Sequence, residues 1–234
     1  MDKRFKINHF FTDKSDKNLA FHVGDDIKNV IQNHKNLAVK YGYNYHKLVY
    51  MKQIHSDKVH ILKGEDNFSN PPTSDALITN KLDTPIMVMV ADCTPVILYD
   101  DKKGVVAVVH AGRAGAFNNI LKNTINSFKN DFNSNLADIK VVIGVSISKD
   151  CYEVSKDIYD EAKVLALEYA VDKKDDRYYL DIKKILHKQL KDEGIKMKQI
   201  KDIKGCNCCD TQNYFSYRKE KQTGRYAGVI YISS

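Results

Sequence analysis

Three apolar runs near the middle of the chain, IMVMVA (86–91), VIL (96–98) and VVAVV (105–109), constrain most strongly what it can fold into. None of them alternates polar with apolar residues, which is the pattern of strands covered on both faces. The longest, 86–91, is far too short to cross a bilayer. The turn DDKKG, ending at Gly104, predicts that the strand over 96–99 folds back on the strand over 105–110 as a hairpin. Further strands are expected over 5–11, 48–55, 58–62, 76–79, 86–92, 140–147 and 227–232.

Helix-period segments alternate with these strands, so the fold class is α/β with helices packed outside a mixed sheet core. Asp25 and Asp26 can cap a first helix whose apolar face carries Ile27, Val30, Ile31, His34, Leu37, Ala38 and Tyr41, with Gly42 as its stop. A second follows Gly115 (Phe117, Ile120, Leu121, Thr124, Ile125, Phe128). A third follows Ser155 (Ile158, Ala162, Leu165, Ala166, Tyr169). A fourth follows Asp181 (Ile182, Ile185, Leu186, Leu190) and ends at Gly194. At 234 residues and 43% hydrophobic content, with no repeat or linker, a single domain over 1–234 is the expectation.

The net charge of +7 raises the question of a polyanionic partner. Only five of the 37 basic residues are arginine (Arg4, Arg113, Arg177, Arg218, Arg225), and the lysines are spread along the whole chain. No basic cluster with interleaved aromatics stands out, so neither a nucleic acid nor a membrane is an expected partner. The scarce arginines are the informative cations, because a planar guanidinium binds phosphate or carboxylate bidentately where lysine offers a point charge. Five cysteines and an opening MDKRFKINHFFT without an apolar stretch point to free thiols in a reducing cytoplasm.

Several motif classes are missing. There is no GxGxxG, Walker A loop or HExxH, GVSIS (144–148) lacks the second glycine of a nucleophile elbow, and the zinc deaminase signature does not occur. No two histidines stand in H-x-H spacing, which argues against a multicopper oxidase. What remains is chemistry at strand ends. ADC closes one buried run with Asp92 and Cys93, HAG closes another with His110, and His55 ends the strand from 48. Two histidines and a thiolate match a catalytic zinc with an open fourth position. A satisfied core Cys and hydrogen-bonded structural histidines are the competing interpretation of each residue taken singly. CNCC, with Cys206, Cys208 and Cys209, lacks a second pair at zinc-finger spacing and is read as free thiols, and Cys151 before a helix as structural. In FSYRKEKQTGRYAGVIYI, Arg218 and Arg225 make a candidate anion site, with a salt-bridged start to a strand as the alternative.

Taken together, NLAFHVGDD (18–26), KQIHSD (52–57), SDALIT (74–79), VADCTPVIL (90–98), VVHAG (108–112), CYEV (151–154), FSYR (215–218) and TGRYAGVI (223–230) resemble the YfiH-like proteins, the laccase-domain or purine nucleoside phosphorylase family. The resemblance implies an αββα sandwich with mixed sheets, similar to cysteine hydrolases related to bacterial deamidating toxins. It implies zinc held by His55, Cys93 and His110, with copper able to compete for the same donors. It also implies a phosphorylase acting on adenosine, inosine or methylthioadenosine with phosphate, together with hydrolytic deamination of adenosine. Cys93, His110 and Asp92 would be catalytic, with Asp92 shuttling a proton. His22, Arg113, Arg218 and Arg225 would bind nucleoside and phosphate. A Cys93/His110 hydrolase of an amide such as a cell-wall precursor is the alternative, and a copper-dependent polyphenol oxidase a weaker one. Two segments depart from the family pattern. Arg113, Ala114 and Gly115 follow HAG where the family has Trp-Arg-Gly, and Ser148, Lys149 and Asp150 replace a Gly-Pro-Cys run before CYEV.

Overall fold

In the computed structural model, which describes residues 5–234, the three apolar runs divide between two sheets stacked face to face. The first sheet has the order Lys6–Phe11, Tyr226–Ser233, Ile86–Val90, Val49–Tyr50. The second has six strands in the order Ile200–Asp202, Ile139–Ile143, Thr94–Asp100, Val105–Ala111, Ala76–Thr79, Val59–Ile61, parallel at its two outer pairs and antiparallel between. The expected hairpin is present, with Val96 opposite Val109 and Asp100 opposite Val105.

Alternate residues of each central strand serve different cores, which explains the unbroken apolar runs. Val96 and Leu98 face the helices Arg113–Phe117, Ile120–Asn130 and Ile182–Asp192, whereas Ile97 faces the other sheet and meets Val88, Val90 and Tyr226. On the far side of the four-stranded sheet, Met87, Met89 and Val229 pack with Leu37 of the helix Ile27–Tyr41. The layers therefore run helix, sheet, sheet, helix, the αββα sandwich that the resemblance implied. No helix among the described residues is long and apolar enough to cross a membrane.

Helix ends follow their capping residues. Asp26 accepts from the Lys28 N–H at 2.7 Å, and Gly42 closes the same helix at φ 69°, a left-handed conformation that glycine adopts without a steric cost. Asp181 accepts from Lys184 N–H at 3.0 Å. Elsewhere the structure corrects the expected boundaries. The helix after Gly115 starts earlier, at Arg113, and breaks where Asn119 takes φ 63°. The third helix stops at Val164, with Ala162 its only buried residue, and Leu165 stays 43% exposed. Ile27, at the very start of its helix, is 62% exposed instead of packed.

The strand expected over 48–55 shrinks to Val49–Tyr50: beyond it the Lys52 backbone pairs with 72–74, and the Gln53 side chain, in place of the backbone, exchanges two hydrogen bonds with Met89. The strand expected over 140–147 ends at Ile143. There Gly144 threads between the sheets, and a Cβ on it would lie 2.6 Å from the Phe11 ring and 2.8 Å from Pro95. One small sheet was not expected from the sequence. Val171–Lys174 and Arg177–Leu180 form a hairpin through Asp175 and Asp176, both at positive φ, and pair with Glu153–Val154.

Candidate active site

The chain crosses between the two sheets at Ala91-Asp92-Cys93, leaving the four-stranded sheet at Val90 and joining the six-stranded one at Thr94. Asp92 makes the bend at φ 90°, and His55 is turned at φ 58° in the loop beyond Gln53. Both are side-chain-bearing residues in a conformation they seldom adopt, a pattern that clusters at functional sites. His110 closes its strand opposite Pro95 and is 3% exposed. The result brings one donor atom each of His55, Cys93 and His110 within 4.8 Å of one another, with the imidazole centroids 4.8 Å apart. Gly112 leaves room for this approach, since a Cβ there would meet Cys93 Sγ at 3.0 Å and His55 Cδ2 at 3.3 Å.

Behind these residues stands Asp75, fully buried at the start of the strand Ala76–Thr79. Its Oδ1 accepts from His110 Nδ1–H at 2.8 Å and from His55 N–H at 3.0 Å. Its Oδ2 accepts from the Ser56 N–H and hydroxyl, each at 2.7 Å. One carboxylate thus orients the His110 ring, turning Nε2 toward Cys93, and pins the loop that carries His55. Nothing in SDALIT marks this role, because a polar residue ahead of a buried strand reads as an ordinary strand start.

The electrostatics follow from the contacts. Burial pushes the Asp75 carboxyl up, but His110 and Ser56 outweigh it and hold it at about 2. Burial likewise pushes the Cys93 thiol up, yet the charge of His110 and hydrogen bonds from His110 and His55 bring it down to about 6. His110 shows the reverse, with burial opposing its charge while Cys93 and Asp75 raise it to about 9. An N,N,S set with a carboxylate behind one histidine and one open side fits a tetrahedral zinc.

The open side faces a cleft of about 1240 Å³, and each of the other residues singled out from sequence lines it: His22, Asp92, Arg113, Arg218 and Arg225. Their surroundings differ. Arg113 is held by Glu161, and Arg177, outside the cleft, approaches Glu153 at 3.8 Å. Arg218 and Arg225 have no carboxylate partner among the described residues. Arg225 Nη1 donates to the Thr223 and Gly224 carbonyls, each at 2.9 Å, while Arg218 lies over the Tyr152 ring and donates to Glu153 O at 3.0 Å. Arg4 lies outside the described residues. His22 is kept neutral near pH 7 by burial and by the charge of Arg225. The Asp92 carboxylate accepts from Asn207 Nδ2–H at 2.8 Å, Ser216 hydroxyl at 2.7 Å and Arg218 N–H at 2.6 Å.

A family described as multi-copper polyphenol oxidoreductase laccase matches residues 11–233. The chain belongs to this laccase-like family. Its relatives there include a purine nucleoside phosphorylase of Clostridium acetobutylicum, 36% identical over 98% of this chain and 92% of that one. A second, the purine nucleoside phosphorylase of Corynebacterium glutamicum, is 35% identical over 92% of this chain and 86% of the other. Among solved structures, the Bacillus licheniformis protein YfiH superposes with a TM-score of 0.89 at 27% identity, covering 96% and 92% of the two chains. Geobacillus stearothermophilus YlmD gives 0.87 at 24% identity, covering 98% and 91%, a likeness of fold. Arg113 opens a helix and is bound by Glu161, whereas among the described residues the Arg218 and Arg225 guanidinium groups donate only to backbone carbonyls.

The structure also groups residues that the sequence kept apart. Cys151 comes up against Cys206 and Cys209 across 58 residues of chain, a second cluster of potential ligands.

Proposed function

We propose that this chain is a metal-dependent purine nucleoside phosphorylase that cleaves adenosine, inosine or methylthioadenosine with phosphate and also deaminates adenosine. The observation that carries this reading is the pairing, in one cleft, of the His55, Cys93 and His110 donors with two guanidinium groups that lack carboxylate partners, Arg218 and Arg225. The curated relatives bear the name purine nucleoside phosphorylase, which fits such a pairing.

His55, Cys93 and His110 would hold zinc, and copper would compete for the same donors. A zinc ion there would supply a Lewis acid with one open position. Asp75 keeps His110 Nε2 turned to the ligand position and stops the His55 loop from drifting. Arg225 and Arg218 bind the phosphate and hold one oxygen toward ribose C1′. As that oxygen forms its bond to C1′, the glycosidic C–N bond breaks, its electron pair leaves with the purine, and the base takes up a proton from solvent water. Asp92 acts here as a positioning residue in place of the proton shuttle expected from the resemblance, since its carboxylate already accepts three hydrogen bonds, from Asn207, Ser216 and the Arg218 N–H. His22 offers a neutral imidazole to the nucleoside. In deamination, water adds at purine C6 and ammonia leaves. Purified protein is expected to release hypoxanthine from inosine only when phosphate is present, and release that ignores phosphate contradicts the proposal.

A second reading has its own observation. Cys93, His110 and Asp75 stand in the order of a thiol nucleophile, its base and the carboxylate that orients the base, with the thiol brought down to about 6. It assigns the same cleft to hydrolysis of an amide. Activity that survives complete metal removal and is abolished by thiol alkylation supports it over the phosphorylase.

A further inference from the structure

Four of the five cysteines take no part in the centre described above. Cys151 ends the short turn Lys149–Cys151, and its thiol faces the loop that carries Cys206, Cys208 and Cys209. The sulfurs of Cys151, Cys206 and Cys209 all lie within 4.8 Å of one another, and Cys151 Sγ is 3.2 Å from Cys209 Sγ. In a tetrahedral zinc thiolate, with Zn–S about 2.3 Å, neighbouring sulfurs sit about 3.8 Å apart. No edge of this triangle exceeds that length by more than about 1 Å.

The backbone is arranged for a thiolate. Cys206 and Cys209 have C-x-x-C spacing, and the turn between them is closed by Cys209 N–H and Asp210 N–H, which donate to Cys206 O at 3.2 and 3.0 Å. Ser148 N–H donates to Cys206 Sγ at 3.2 Å. A disulfide would use two of the sulfurs and leave the third without a purpose. Three convergent sulfurs, one of them accepting a backbone N–H, match a thiophilic divalent ion such as zinc.

We propose that Cys151, Cys206 and Cys209 form a second metal site, for a structural zinc ion, separate from the His55–Cys93–His110 centre. Its place in the fold gives it a task. The Cys151 and Glu153 carbonyls accept from the Arg218 guanidinium at 3.4 and 3.0 Å, and Ser216 and the Arg218 backbone hold Asp92. An ion bridging Cys151 to the Cys206–Cys209 turn clamps together the two loops that build the Arg218 wall of the cleft. Cys208, whose thiol meets Ser216 and Cys151, stands outside the three-sulfur set.

The test is metal content per chain, by elemental analysis and native mass spectrometry of protein purified under reducing conditions with zinc. The expected result is two zinc ions in the wild-type chain and in Cys208→Ser. One is expected in Cys206→Ser, in Cys209→Ser and in Cys93→Ala, and none when Cys93→Ala and Cys209→Ser are combined. Cys209 is exposed, so its variant keeps the test open where Cys206→Ser fails to fold. With cobalt in place of zinc, Cys93→Ala should show about three times the thiolate-to-metal charge-transfer absorption per ion seen in Cys209→Ser, three thiolates against one. Wild-type protein holding a single zinc that Cys209→Ser does not remove overturns the proposal. So does a mass two hydrogens short in untreated wild type, which marks a disulfide in place of the site. If Cys209→Ser lowers the count while Cys93→Ala leaves it unchanged, the second site stands and the proposed active centre falls.

Discussion

The molecule carries two three-donor groups, and they are built in opposite ways. His55, Cys93 and His110 come from three segments at the seam between the two sheets, with the buried Asp75 behind them and a large cleft in front. Cys151, Cys206 and Cys209 sit on loops, with a backbone N–H donating to the Cys206 sulfur, and among the described residues no carboxylate of this kind stands behind them. Mixed nitrogen and sulfur donors with an oriented histidine and a cleft in front suit chemistry on a substrate, whereas an all-sulfur set bridging two loops suits structure. The difference teaches that the supporting groups, more than the donors, tell a working centre from a clamp.

The largest break between the two should come from Cys93→Ala. Activity is expected to fall to background and one metal ion to be lost, with the far-ultraviolet circular dichroism spectrum and cooperative melting retained. Retention of the full zinc stoichiometry in this variant would sink the ligand set.

Acid separates damage to either centre from failure of the whole fold. His34 is on the buried face of the helix Ile27–Tyr41, apart from both groups, with Nε2–H donating to Leu19 O at 2.8 Å, and burial lowers it from 6.5 to about 4. Its folded-state pKa is below the unfolded one, so between those values the unfolded chain binds the extra proton. Stability is therefore complete above pH 6.5 and falls as pH is lowered toward 4, by about 3 kcal/mol in all. Denaturant melts at pH 7 and pH 4.5 measure this, and in His34→Gln the difference between them should shrink by most of that amount.

Asp75→Asn sharpens the contrast more finely, because it removes a supporting carboxylate and no ligand. Metal affinity or kcat is expected to drop about 10- to 100-fold at the His55–Cys93–His110 centre. Metal at the cysteine site should be unaffected, as metal titration can show. The smallest effects separate the arginines. Arg225→Ala should raise KM for phosphate about tenfold, or about 1.4 kcal/mol. Arg113→Ala, whose partner is Glu161, should change it less than about threefold. Initial rates against phosphate concentration distinguish the two.

Much of the candidate centre was legible in the sequence. Unbroken apolar runs mark strands covered on both faces, so the polar residues that end them, Cys93 and His110, stand out. Asp26, Gly42 and Asp181 marked helix ends through local capping chemistry, which acts within a few residues. Contacts set by tertiary folding were not legible. Asp75 earns its role from His110, 35 residues away, and Cys151 from a partner 58 residues away. The hairpin over 171–180 escaped notice because VDKK and RYYL carry charge where an alternating strand would carry apolar residues. Arg113 and Arg225 looked alike in sequence, and only the presence of Glu161 beside the first separates them.

The most direct test of the central claim is the rate of inosine phosphorolysis as a function of metal bound at His55, Cys93 and His110. Metal-stripped Cys209→Ser protein, which isolates this centre, should be inactive, and its phosphate-dependent release of hypoxanthine should rise in proportion to zinc up to one equivalent per chain. An undiminished rate in the metal-free protein, or hypoxanthine release without phosphate, would contradict the account.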